Sequence, residues 1–177
     1  MNTQEMIQRM DSITQYYLEE LDRFSMEDLT RKPGEEEWSL GQMYMHLINA
    51  SLRMHLRNVE ACATSAEGVM KEGEKTEGGK SAFSNQAFPP VRVQVPPSPA
   101  YTPSQPGSKE QIREGLLNVL AEMKRIDPLV QTAPAQNKLV HPGFGALNAG
   151  EWFMLVEMHY RHHLRQKERL EGFLAGV

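Results

Sequence analysis

The chain carries one cysteine, Cys62, in 177 residues. A single thiol excludes an internal disulfide and points to a reducing compartment, and Cys62 itself reads as a small buried apolar residue. No apolar run approaches the ~20 residues of a membrane span. The polar, mixed-charge start MNTQEMIQRMDSITQ has no signal-peptide pattern. No block of like charge forms a binding tail, and the formal net charge of -4 gives no reason to expect nucleic acid. Strand patterning is also scarce, limited to the brief alternation Val91, Val93, Val95. These absences leave a soluble cytoplasmic protein, and the length suits a single domain with a sizeable core.

What the chain does have is helical periodicity. Thr3 can cap a first helix whose stripe is Met6, Met10, Ile13, Tyr17, Leu21 and Phe24. After a connection containing Pro33-Gly34, Ser39 and Gln42 have the spacing of a capping box. The second helix buries Leu40, Met43, Leu47, Ala50 and Met54 and ends before Glu67-Gly68. Ser108 and Gln111 repeat the box and open a third helix, with Ile112, Leu116, Val119, Leu120, Met123 and Ile126 inward and Pro128 as its stop. A fourth helix starts near Asn148 and runs almost to the end. The pattern predicts an all-α fold, a four-helix bundle.

Between the second and third helices lies a long insertion, about residues 65–107. Its first half, GVMKEGEKTEGGKSAFSNQ, is polar and glycine-rich. Its second half, FPPVRVQVPPSPAYTPSQPG, holds seven of the eleven prolines, which favours extended, irregular chain. So long a connection can cross the bundle from end to end, so the helices it joins need not be antiparallel neighbours. Phe83, Phe88 and Tyr101 are apolar enough to dock on the helices, as a flap over a site.

The chemistry lies in the histidines. His159 and His163 are four residues apart in the stripe Trp152, Leu155, Val156, His159, His163, Gln166, Leu170, Phe173, so both rings leave one face of one helix. Burying them demands partners. His46, between Met43 and Ala50, faces inward from the second helix. Three imidazoles from two helices suit a divalent transition metal, and three protein ligands leave positions open for water or substrate. The spacing places the other histidines elsewhere. His55, nine residues after His46, is about 900° further round an α-helix and falls on the opposite, solvated face. His162 falls at the edge of the stripe. His141, in HPGFG, belongs to a loop at the mouth, where turn chemistry competes with a role at the rim. No carboxylate shares the stripe, which argues against a ferritin-like di-iron site, and no glutamate follows His159 as in a zincin.

At these residues the chain resembles the DinB/YfiT-like superfamily of metalloenzymes. The similarity rests on Trp38-Ser39 opening a helix with His46, on His141, Pro142, Gly145 and Leu147, on Glu151-Trp152, and on His159, His163 and Gln166. It covers nearly the whole chain except the Pro-rich insertion. It implies a four-helix bundle with a crossover connection, His46, His159 and His163 as metal ligands, nickel or zinc as the metal, and a dimer. Relatives include transferases that use low-molecular-weight thiols such as bacillithiol or mycothiol. The expected function is therefore metal-dependent thiol transfer to a small molecule, or its hydrolysis. The alternative is a non-catalytic metal-binding or stress-related module. Asn49, one turn after His46, and Gln166 would orient ligands or substrate. No general base is identifiable: Glu157 points away from His159, Glu151 lies two turns earlier, and His141 is the one outside candidate. Tyr44, Met45 and Phe153, left over once the stripes are filled, call for the cover a homodimer would give.

Overall fold

The structure, a computed structural model, describes residues 2–89 and 102–176. The Val91, Val93, Val95 alternation and Tyr101 lie outside the described residues. In chain order the elements are α1 (Thr3–Leu21), α2 (Met26–Thr30), α3 (Leu40–Ala50), a π-turn (Ser51–His55), α4 (Leu56–Thr64), α5 (Glu77–Asn85), α6 (Lys109–Thr132), β1 (Lys138–His141), β2 (Gly145–Asn148) and α7 (Ala149–Ala175). The fold is mostly helical, with one small antiparallel sheet. No helix among the described residues is long and apolar enough to cross a membrane.

The helix starts follow local chemistry. Ser39 accepts from the Gln42 amide while the Gln42 side chain accepts from the Ser39 amide. Asn148 and Glu151 close the same box at the head of α7. Each such cap is worth about 1 kcal/mol. At α6, Ser108 caps the Gln111 amide, but the Gln111 carbonyl takes the Gly107 amide at 2.7 Å. At α1, Asn2 is the cap in place of Thr3, which is buried.

Pairing between helices sets their directions. Gln4 meets Asp127 at 2.7 Å and Arg113 meets Asp22 at 2.6 Å, so α1 and α6 are antiparallel. The insertion leaves after α4 and returns beside the start of α3, where Gln42 Nε2 donates to the Pro103 carbonyl (2.7 Å) and Ser39 Oγ to Gln105 Oε1 (2.8 Å). The connection therefore crosses end to end. As a result α6 packs parallel to α3 and α4, with Arg125 and Glu60 paired at 2.6 Å near their far ends. Against this pair α7 runs in the opposite sense: its start lies over Cys62, and Arg169 near its end meets Glu37 at 3.1 Å.

The core between these helices is continuous, from Met10 and Leu21 through Leu47 and Met123 to Trp152. Three tyrosines stitch it together: Tyr17 donates to the Tyr160 carbonyl (2.9 Å) and Tyr44 to the Tyr17 carbonyl (3.1 Å). Cys62 is buried as expected, and burial pushes its thiol up to about 11. Tyr44, Met45 and Phe153 are buried by their own chain, so these three need no partner subunit for cover.

Three elements depart from the sequence expectations. Helix α6 continues through Pro128 to Thr132. The proline removes one amide, and Lys124, whose carbonyl loses its partner, is exposed to water. The insertion is not wholly irregular: Thr76 caps α5, and isolated β-bridges join Met70 to Lys138 and Lys75 to Gly145. The HPGFG stretch is not a plain loop either but the tip of the β1–β2 hairpin, with His141 paired to Gly145. Glycine is required there. Gly145 has φ +79°, and a Cβ on it would come within 2.6 Å of the Glu74 carbonyl oxygen.

Candidate metal centre

Helix α3 carries His46 and helix α7 carries His159 and His163, and their antiparallel packing brings the three rings together. His159 Nε2 lies 3.0 Å from His46 Nε2 and 3.0 Å from His163 Nε2. Among the described residues this is the one histidine, cysteine and carboxylate group compact enough for a metal, with ligand atoms within 4.8 Å of one another. Burial keeps the rings neutral. It lowers His46 to about 4 and His163 to about 3, and holds His159 well below the usual histidine value.

Hydrogen bonding alone does not account for this cluster. A neutral imidazole nitrogen has either one in-plane lone pair or one N–H. His159 Nε2 faces two ring nitrogens at equal distance and can pair with only one. Three convergent lone pairs are instead what a divalent cation requires, and the donor set fits such an ion. The surroundings support that orientation at one ring. His163 Nδ1 lies 2.6 Å from Gln166 Oε1, an acceptor, so the proton sits on Nδ1 and the Nε2 lone pair faces the cluster. Gln166 thus lies within hydrogen-bond reach of His163. Asn49 is half-buried, and among the described residues no hydrogen bond joins it to the three rings.

Aromatic residues wall the centre. Trp38 packs 4.9 Å from His46, ring to ring. Phe88, from the insertion, stacks over His159 at 5.9 Å with 24° between planes, and touches His162 at 5.0 Å. Phe83 meets Phe144 at the hairpin tip at 6.1 Å, so of the two described phenylalanines of the insertion Phe88 docks on a helix as expected and Phe83 on the hairpin. Arg161 holds that segment by donating to the Gln86 carbonyl (2.6 Å) and pairs with buried Glu157 at 2.8 Å. Glu157 is thus committed to structure and faces away from the cluster.

His141 performs turn chemistry: its Nδ1 accepts the amides of Gly143 (3.0 Å) and Phe144 (3.2 Å). Its ring stacks on Phe144 and lies 5.4 Å from Trp152, and burial lowers its pKa to about 4.

His55 overturns its sequence reading. It is 2% exposed, not solvated, and its ring lies 5.3 Å from His159. The cause is the π-turn, in which the Leu56 amide bonds the Ser51 carbonyl five residues back. One extra residue absorbed in the turn cuts the rotation from His46 to about 800°, so His55 lands about 80° from His46 instead of opposite it. No feature of the local sequence announces that turn.

No curated protein and no solved structure matches the chain. The sequence profile described as the DinB superfamily matches residues 9–166, from the first helix to Gln166 and across all three clustered histidines. The chain belongs to the DinB superfamily.

Proposed function

We propose that the protein is a divalent-metal-dependent enzyme of the DinB type that transfers a thiol to, or hydrolyses, a small molecule. In this reading His46, His159 and His163 hold the ion through Nε2. The observation that carries it is the approach of His46 Nε2 and His163 Nε2 to His159 Nε2, each at 3.0 Å. Nickel or zinc suits three neutral imidazoles. Once bound, the ion would supply Lewis acidity or lower the pKa of a bound water or thiol.

The rest is the work of the chain's own residues. Gln166 orients His163. Trp38 and Phe88 set apolar walls beside His46 and His159 and keep bulk water off the rings. These walls suit a small, weakly charged substrate better than a polyanion. His141, with Nδ1 occupied by backbone amides, offers only Nε2 at the rim. The four long helical rods are read as a four-helix bundle with one crossover. A low-molecular-weight thiol as co-substrate, a homodimer and a cytoplasmic setting are proposed with the family resemblance as their support.

A second reading, a non-catalytic metal-binding or stress-related module, is favoured by one observation: Glu157 is tied to Arg161 and cannot serve as a general base at the cluster. One experiment separates the readings. Metal content is measured on purified protein, which is then loaded with nickel or zinc. Cellular thiols are offered together with chlorodinitrobenzene, alongside a panel of hydrolysable esters and amides. Turnover that vanishes in His159→Ala supports the enzyme. Full metal occupancy with no turnover on either panel favours the module, and a wild-type protein that binds no divalent ion overturns both.

A further inference from the structure

His163 has Gln166 to fix its tautomer, but His159 has no such partner. Its Nδ1 is buried and makes no hydrogen bond among the described residues. If Nε2 turns its lone pair to the cluster, Nδ1 must carry the proton, and that buried N–H needs an acceptor. Two other orphaned polar atoms belong to rings close by, His55 Nδ1 and Trp152 Nε1. The His55 ring lies 5.3 Å from His159 and 6.1 Å from Trp152, centroid to centroid.

The three atoms form a complementary set. Trp152 Nε1–H can only donate. His159 Nδ1–H donates. A neutral His55 with its proton on Nε2 presents Nδ1 as an acceptor. A single water among these rings would accept from both donors and donate to His55, meeting all three demands with the three hydrogen bonds typical of a buried water.

We propose that His55 is a positioning residue of the three-histidine centre: through one internal water shared with Trp152 it fixes the tautomer and ring orientation of His159. The inference rests on the metal-centre reading above and deepens it. It also gives the π-turn a purpose, since only that irregularity brings His55 to the inner face. His55 thereby does for His159 what Gln166 does for His163.

The test is metal affinity, read by titration against a chelating competitor, together with the visible spectrum of the cobalt(II)-substituted protein. His55→Leu fills the space but offers no acceptor. His55→Gln restores one. The expected result is an affinity loss of about 10–100-fold in the leucine variant, the range for partners that orient metal-bound histidines, with an altered cobalt spectrum. The glutamine variant should regain most of both. Trp152→Phe keeps a ring but deletes a donor, and should shift affinity in the same direction by a smaller factor. It decides the matter if the leucine variant does not fold. Wild-type affinity and spectrum in His55→Leu or Trp152→Phe would overturn the proposal, as would a glutamine variant as weak as the leucine one. If the wild-type protein itself binds no ion, the metal-centre reading fails first, which is a different result from full binding untouched by these changes.

Discussion

Helix α7 buries two polar groups eight residues apart, and they differ in how completely they are satisfied. Lys167 is 1% exposed, and its three N–H donors find Tyr16 OH (3.2 Å), Glu20 (2.8 Å) and Glu171 (2.5 Å). His159 is 7% exposed, and it meets two ring nitrogens that it cannot both pair with, while its Nδ1 meets none. Burial is nearly the same and the accounting is opposite. A closed polar cluster holds helices together, whereas an open one waits for something to complete it. Satisfaction, more than burial or polarity, separates the strut from the site.

The sharpest way to break this contrast is a crossed pair of substitutions. His46→Ala should weaken metal binding by more than about 100-fold, since losing a ligand costs more than losing the group that orients one. In chelator its stability should stay within about 1 kcal/mol of wild type. Lys167→Ala should do the reverse. It should keep metal affinity and lose about 3 kcal/mol by stranding Glu20 and Glu171, a fall in Tm of roughly 6–12 °C. Calorimetry and metal titration on both variants check this, and a Lys167→Ala protein that loses its metal would erase the distinction.

Acid should open the two clusters in different windows. His46 is held neutral down to about 4 by burial, so the unfolded chain takes up that proton more readily than the folded one. Stability without metal should therefore fall as pH drops from about 6.5 towards 4, by about 1.4 kcal/mol per unit for each such imidazole. Glu20 is lowered to about 2, chiefly by its bond to Lys167. Its contribution is present above about 4.5 and is lost only between there and 2. Thermal melts in chelator from pH 7 to 3 should show two steps, the upper one reduced in His46→Ala. A single step would mean that the clusters do not titrate separately.

The smallest expected effect sharpens the contrast within the site. Gln166→Leu removes the acceptor for His163 Nδ1 and should weaken metal binding about 10-fold without changing Tm in chelator. Unchanged affinity would reduce Gln166 to packing.

Much of this was legible before any coordinates, and the rest shares one physical reason. The capping spacing Ser39/Gln42, the helix start near Asn148, the inward stripes and the inward placement of His46, His159 and His163 depend on local periodicity, which sequence carries directly. Helix α5 does not. It contains Gly78-Gly79, poor helix formers, and Gly79 lies so close to the Phe144 carbonyl that a Cβ would sit 2.2 Å away, so the segment answers to packing, not propensity. The same holds for α6, which passes Pro128 where the freed carbonyl faces water. His55 is the plainest case. Its placement depends on counting residues per turn, and one turn of five residues shifts the count.

That turn has a consequence for which changes in length the chain can tolerate. Between Leu40 and Thr64 the helix holds one residue more than its two apolar faces need: Met43 and Leu47 before the turn align with Val59 and Cys62 after it only because the excess is absorbed there. Losing a residue anywhere else along this rod would swing everything downstream by about 100° and aim the lower stripe at solvent. Losing one from positions 51–54 would merely let the ladder relax to ordinary α-helical spacing, with both faces still in phase. The irregularity is therefore also the rod's single slack link, the one place where the sequence can shorten without unwinding the relation between its halves.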